Sequence, residues 1–320
     1  MRNTVVTQWL AATEWADWQR IALSGDASAR RYERLLGPKG QSVILMDAPP
    51  ETCGSQSRFV TIAAYLKTLN LAAPEVLEWD NPKGLMILSD LGQHDFATYL
   101  SAAPKDEAIL YSAAVDVLRT LQSTPPPNGL TRMTSDVGAN MIGVAFEWAA
   151  TDQSMDLATE ITARLRRLLH DVDPDPCALS LRDFHAENLI WRPAGHANLR
   201  IGLLDFQDAF ITHPTYDLAS LLRDARRDVD PVLLAPLLAQ LAGEDGNVAD
   251  FKRAFHVMAV QRNLRILGIF HRLARQDGKT GYLSLVPRVW AHLQTDLATP
   301  DLIDLGRLVA WAFDPERVNS

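Results

Sequence analysis

With 320 residues, 47% of them hydrophobic and 22% charged, the chain can bury a large core, and at this length two lobes are expected rather than one compact unit. A formal net charge of −8 argues against nucleic acid or an anionic membrane as partner, while leaving room for a local basic cleft. No apolar run approaches the roughly 20 residues that span a bilayer, residues 1–10 lack a signal peptide's apolar segment, and Cys53 and Cys177 are too few and too distant for a disulfide framework or metal site, so a reducing, cytoplasmic setting is the simplest reading.

Residues 4–13 read as a short opening helix. Residues 15–34 read as two strands around the small-residue loop Leu23-Ser24-Gly25-Asp26-Ala27-Ser28-Ala29-Arg30, whose backbone amides are of the kind that cover an anion, although a single Gly with Asp and Ser is first of all a hairpin turn. Ser42-Val43-Ile44-Leu45-Met46-Asp47 reads as a third strand, and residues 55–69 as a helix with Phe59, Ile62, Ala63, Leu66 and Leu69 at helical spacing. Two further strands follow at 74–80 and 84–89, the second an apolar Leu85-Met86-Ile87-Leu88 run that ends at Ser89-Asp90-Leu91-Gly92. The chain then turns strongly helical, over 94–100, 105–123, 135–150 and 154–170, with Thr124-Pro125-Pro126-Pro127 stopping the second of these helices.

Next comes Leu181-Arg182-Asp183-Phe184-His185-Ala186-Glu187-Asn188-Leu189-Ile190-Trp191, answered by Ile201-Gly202-Leu203-Leu204-Asp205-Phe206-Gln207-Asp208: short apolar strands around a polar loop. An Asp with an Asn five positions on and a later Asp-Phe is the spacing used for phosphoryl transfer from ATP, where the first Asp takes the acceptor hydroxyl's proton and the other two hold metal ions on the phosphates. This assigns Asp183 as base, with Asn188 and Asp205 as magnesium ligands. Magnesium takes hard oxygen donors and keeps several waters, so a carboxylate, an amide oxygen and phosphate oxygens suffice. Asp and Asn are also common turn formers, and either half alone would be read that way; the two halves together reverse the odds.

In a kinase-like N-terminal lobe, the loop around Gly25, Asp26, Ser28 and Arg30 sits where phosphates are covered, and Ser89, Asp90 and Leu91 sit at the hinge that meets adenine, placing the lobe boundary near residue 90. The third strand, where a protein kinase carries its phosphate-pairing Lys, has none, and the 55–69 helix lacks the partner Glu. Arg30, Arg31, Arg34 and Lys39 are candidate substitutes, each also readable as a solvated charge on an edge hairpin.

Asp183-x-x-x-x-Asn188, Asp205-Phe206 and Tyr216-Asp217-Leu218-Ala219 resemble the aminoglycoside phosphotransferase and choline kinase superfamily, which has a protein-kinase-like fold. Gly25-Asp26-Ala27-Ser28, Met46-Asp47-Ala48-Pro49-Pro50, Asp205-Phe206-Gln207-Asp208-Ala209, Gln261-Arg262-Asn263-Leu264, Gly268-Ile269-Phe270 and Asp277-Gly278-Lys279 resemble, more narrowly, the bacterial anomeric N-acetylmuramate/N-acetylglucosamine kinases of cell-wall recycling. The resemblance implies ATP-dependent phosphorylation of the C1 hydroxyl of an N-acetylated amino sugar, with magnesium, and a bracing role for Asp217, which by itself reads as a helix cap. Leu181 departs from the superfamily's usual His two positions before the catalytic Asp, with His185 as a candidate compensator.

Residues 251–275 read as a helix on which Arg262, Arg265 and Arg272 share about a third of the circumference. Such a stripe is usually solvated; lining an acceptor cleft, it would suit a sugar carboxylate or the product phosphate. His185, Asp208, Arg262 and Arg265 are accordingly the candidate acceptor contacts.

The expected fold is α+β and two-lobed, protein-kinase-like, with a small antiparallel sheet in an N-terminal nucleotide-binding lobe (1–90) and a large helical C-terminal lobe (91–320). The expected function is an ATP- and Mg2+-dependent small-molecule kinase for an amino sugar. Other readings are an aminoglycoside or other small-alcohol phosphotransferase and, from a different class, a nucleotide-binding pseudokinase, motivated by the missing strand Lys and Leu181.

Overall fold

The computed structural model describes residues 2–23, 29–150 and 155–313, so Gly25, Asp26 and Ser28 lie outside the described residues. By internal contacts the chain forms two units, Met1–Asp95 with Leu189–Asp208, and Phe96–Asn188 with Ala209–Ser320.

The first unit opens with α1 (Arg2–Leu10), followed by β1 (Gln19–Leu23), β2 (Arg31–Leu36) and β3 (Ser42–Asp47), a one-turn α2 (Pro50–Cys53), α3 (Ser57–Thr68), β4 (Val76–Asp80) and β5 (Leu85–Ser89). The strands make one antiparallel sheet in the order β1-β2-β3-β5-β4. Alternation decides its faces: Leu35, Val43, Leu45, Leu85 and Ile87 point to one side and form a buried cluster with Val6, Trp9, Leu10 and Trp15. Met46 and Met86, paired in register between β3 and β5 and fully buried, belong to the opposite face. A strand covered on both faces reads as the unbroken apolar run seen at Leu85-Met86-Ile87-Leu88.

In the second unit α4 (Phe96–Ala102), α5 (Glu107–Gln122), α6 (Ser135–Asn140), α7 (Gly143–Trp148) and α8 (Met155–Val172) lead to β6 (Ala178–Ser180). The single helix expected over 135–150 is two, because the chain tightens after Asn140, where the Ile142 N–H turns to the Ala139 carbonyl at 3.4 Å.

The chain then returns to the first unit for β7 (Leu189–Trp191) and β8 (Ile201–Leu203), an antiparallel pair. Leu203 N–H donates to the Ala72 carbonyl at 2.7 Å and Trp191 N–H to that of His94 at 2.8 Å. Both bonds lie within the first unit, which takes in Leu189–Asp208.

Back in the second unit, β9 (Phe210–Thr212) pairs with β6, and α9 (Thr215–Leu222), α10 (Leu234–Ala242), α11 (Val248–Gln276), α12 (Val286–Leu297) and α13 (Ile303–Phe313) follow. The central helix is α11, buried from Ala254 through Leu264 and packed on α7, α8, α9 and α12. At Gly268 a Cβ would stand 2.4 Å from the Val144 carbonyl oxygen and the Ala145 nitrogen, so α7 crosses on bare backbone.

Candidate active site

In the second unit the loop between β6 and residue 188 presents Asp183, and it is shaped from behind by Asp217. That carboxylate, fully buried in the first turn of α9, accepts from the Ser180 hydroxyl (2.6 Å), the Leu181 N–H (2.7 Å) and the Arg182 N–H (3.0 Å). Pro214 occupies the position ahead of the helix, so Asp217 is no cap: it braces the loop. Burial pushes the Asp217 carboxyl up to about 6, against the opposing pull of its three donors. Arg182 adopts the left-handed conformation (φ 74°), which turns the chain so that Asp183 follows a tight bend.

The brace does not depend on the Leu181 side chain. That side chain is buried and the residue's contribution to loop geometry is the N–H that Asp217 holds, so a polar group at that side chain is not required for the tether. His185, the candidate compensator, works elsewhere: Asn188 Nδ2 donates to the Asp183 carbonyl at 2.8 Å and lies 3.2 Å from His185 Nε2. Since that amide nitrogen can only donate, Nε2 accepts and the ring proton sits on Nδ1. Burial lowers the His185 pKa to about 4, so the ring is neutral near pH 7. With Nδ2 committed twice, Asn188 keeps its Oδ1 as the oxygen a magnesium ion would use. Asp224, which nothing in the run Arg223-Asp224-Ala225-Arg226-Arg227 sets apart from a solvated charge cluster, is buried and accepts from the Ala186 N–H at 3.3 Å, adding a second hold on the loop.

The first unit carries Asp205. It lies two residues past the end of β8 in a left-handed turn (φ 54°), its side chain half exposed, while the next residue, Phe206, is fully buried and stacked on Phe59 with centroids 4.9 Å apart. The aromatic ring anchors the turn and the carboxylate projects from it. Gln207 Nε2 donates to Asp205 Oδ1 at 2.7 Å, and Arg30 Nη1 lies 4.0 Å from the same oxygen. Exposed hard oxygen on a rigid turn fits a magnesium ligand. Asp208, three positions on, is exposed and makes no side-chain hydrogen bond among the described residues.

The candidate cations separate by partner. Arg34 is committed to Asp90 (2.6 and 3.2 Å) and to the Gly92 carbonyl (3.0 Å), Lys39 is an exposed left-handed turn residue and Arg31 is exposed; Arg30 is the one placed beside Asp205. Arg30 also counteracts the burial that raises Tyr32 to about 12. At the expected hinge, burial would raise the Asp90 carboxyl, but Arg34 and the Gly92 N–H outweigh it and leave it below the usual range. Ser89 Oγ accepts from the Glu75 N–H at 2.8 Å. Both side chains are therefore engaged within the first unit in shaping the turn.

On α11, Arg262 is buried and Arg265 half-buried in the neighbourhood of Asp183 and Tyr216, whereas Arg272 is exposed two turns farther on, so the expected three-residue stripe is divided. Burial lowers the Arg265 pKa, with repulsion from Arg182 adding to it.

Residues 19–252 match the model of the phosphotransferase enzyme family. An N-acetylmuramate/N-acetylglucosamine kinase of Caulobacter vibrioides is 34% identical, over 98% of this chain and 96% of that protein, and one of Pseudomonas aeruginosa is 34% identical over 91% and 87%. Among solved structures, a choline/ethanolamine kinase family protein from Mesorhizobium loti aligns with a TM-score of 0.68 at 16% identity, covering 97% of this chain and all of that one, and an ADP-bound aminoglycoside phosphotransferase with 0.63 at 15%, covering 91% and 98%. The fold is thus that of the choline kinases and aminoglycoside phosphotransferases, as the Asp183, Asn188 and Asp205 spacing implied, and the chain belongs to the phosphotransferase enzyme family.

Proposed function

We propose that this protein is an ATP-dependent kinase that phosphorylates the anomeric hydroxyl of an N-acetylated amino sugar, N-acetylmuramate or N-acetylglucosamine. The observation that carries the reading is the Asp183–Asn188 loop, fixed from behind by Asp217, in a chain whose near full-length relatives bear that name. Asp183 orients the C1 hydroxyl and takes its proton as the sugar oxygen bonds to the γ-phosphorus and the bond to the β-phosphate oxygen breaks, releasing ADP. Asn188 Oδ1 and the Asp205 carboxylate would hold magnesium, which when bound neutralises charge on the phosphate oxygens. Arg30 is the cation assigned to the phosphates in place of a strand Lys, with Gly25, Asp26 and Ser28 as further phosphate-side candidates and the Ser89-Asp90-Leu91 turn meeting the base.

His185, Asp208, Arg262 and Arg265 remain the acceptor-side candidates, His185 acting through Asn188. An aminoglycoside acceptor is disfavoured because a polycation would meet Arg182, Arg262 and Arg265. A pseudokinase is disfavoured because the loop is fully braced although Leu181 and the strand depart from the usual residues. Among the described residues no helix is long and apolar enough to cross a membrane, and a kinase drawing on cellular ATP is assigned to the cytoplasm. The test is magnesium-dependent ATP turnover across a panel of amino sugars, aminoglycosides and amino alcohols, with the product's phosphorylated position read by phosphorus NMR. A sugar 1-phosphate is expected; turnover of only cationic acceptors, or of none, overturns the reading.

A further inference from the structure

The helical unit pairs its other inward-facing arginines with acids. Arg223 meets Asp296 (2.9 and 2.7 Å), Arg226 meets Glu187 (2.8 Å) and Arg227 meets Glu107 (2.8 Å). Arg182, Arg262 and Arg265 break that rule: among the described residues their side chains make no ion pair or hydrogen bond, although Arg262 is only 6% exposed and its Nη1 is buried without a partner. They are also close enough to one another to repel, and Asp183 is the carboxylate that Arg265 feels. Next to Arg262 on the helix, Asn263 is fully buried with both amide ends unpartnered.

Burying a guanidinium without a counter-charge, beside like charges, is costly and is seldom kept without a ligand that offsets it. Against Arg182, Arg262 and Arg265 the Asp183 carboxylate supplies a single negative charge, so the cluster keeps an excess of positive charge. The arrangement therefore lacks an oxyanion, and a planar fork of donors suits a carboxylate or a phosphate.

We infer that Arg262 and Arg265, with Arg182 at the loop, form a carboxylate-binding subsite beside Asp183 that reads the lactyl carboxylate of N-acetylmuramate. The inference rests on the kinase reading above and adds what that reading lacks, the group that distinguishes its two sugars: N-acetylglucosamine has no carboxylate. Carboxylate is favoured over the transferred phosphoryl because Arg182, Arg262 and Arg265 gather around Asp183, the base that must hold the sugar hydroxyl, whereas Arg30 is the cation beside Asp205.

The test compares kcat/KM for N-acetylmuramate, its carboxyl methyl ester and N-acetylglucosamine in the unaltered protein, in Arg265→Gln and in Arg262→Gln. In the unaltered protein, esterification should lower kcat/KM by about tenfold or more, the loss of a charge-assisted pair. Arg265→Gln should lower N-acetylmuramate turnover by a similar factor, reduce N-acetylglucosamine turnover much less, and cost the ester nothing further. The ester measurement needs no variant, so it decides the matter even where buried Arg262→Gln fails to fold. An ester as good as the acid, or equal losses on both sugars in Arg265→Gln, overturns the subsite, the latter assigning the arginines to the phosphoryl group. No turnover of either sugar by the unaltered protein overturns the kinase reading itself.

Discussion

Asp217 Oδ2 accepts the main-chain N–H of Leu181 at 2.7 Å, across 36 residues of sequence. With the Ser180 and Arg182 bonds to its other oxygen, this carboxylate fixes the backbone ahead of Asp183 without touching Asp183 itself. Replacing it with Asn leaves one oxygen for three donors and turns an NH2 either toward the Leu181 N–H or toward the Ser180 and Arg182 donors. Asp217→Asn should cost about 2–4 kcal/mol of stability, measured by urea denaturation, and lower kcat more than it raises the KM for ATP; a variant of normal stability would remove the brace.

The same residue sets a pH dependence. Its carboxyl titrates at about 6 in the fold against 3.8 for an unperturbed aspartate, so the native state holds a proton that the unfolded chain has lost between those values. Its contribution to stability is therefore greatest below pH 3.8 and declines as pH rises through about 6. Activity should run the opposite way, since the ionised form accepts all three bonds: kcat should fall as pH drops through about 6. In Asp217→Asn this acid limb should be missing, and a limb that persists there belongs to another group.

Asp183→Asn tests the base. Loss of a positioned general base lowers kcat by roughly 10²–10⁴-fold, toward the lower end for an anomeric hydroxyl, which is more acidic than an ordinary alcohol. ATP affinity, measured by calorimetry, should barely change. Unaltered turnover would make Asp183 an ordinary loop residue.

Asp205 and Arg30 form the phosphate-side test, with Nη1 and Oδ1 4.0 Å apart. Asp205→Asn should abolish magnesium-supported turnover and weaken the binding of manganese with ADP, followed by electron paramagnetic resonance. Arg30→Gln should raise the KM for ATP about tenfold while leaving metal binding in place. A reversed pattern, with Arg30 needed for metal and Asp205 not, would refute these roles.

Gly268→Ala probes the α7–α11 crossing. The added Cβ would lie 2.4 Å from Val144 and Ala145 backbone atoms, which no side-chain rotation relieves, so a loss of about 2 kcal/mol or more is expected by thermal melting. A melting temperature equal to that of the unaltered protein would show that α7 can shift at no cost.

Short-range information was enough for the elements and the reaction class. The short apolar run Val43-Ile44-Leu45-Met46 and the helical spacing of Phe59, Ile62, Ala63 and Leu66 mark β3 and α3, because run length and helix period are local properties. Asp183 and Asn188 are likewise legible because one loop carries both, and Asp205-Phe206 because a buried ring beside an exposed carboxylate is written in adjacent residues. What the tertiary structure decided is every role set by a partner far along the chain. Arg34 and Arg30 look alike in sequence, yet Asp90, 56 residues on, takes the first, and the second lies beside Asp205. Asp217 reads as a cap until three donors converge on it, and Asp224 as a solvated charge until the Ala186 N–H reaches it. Arg262 and Arg272 share a helix face by spacing alone, but only the packing of the unit buries Arg262 with Arg265 near Asp183 and leaves Arg272 in solvent. Helical period fixes direction around an axis, whereas burial and counter-charge depend on what other elements bring to that direction.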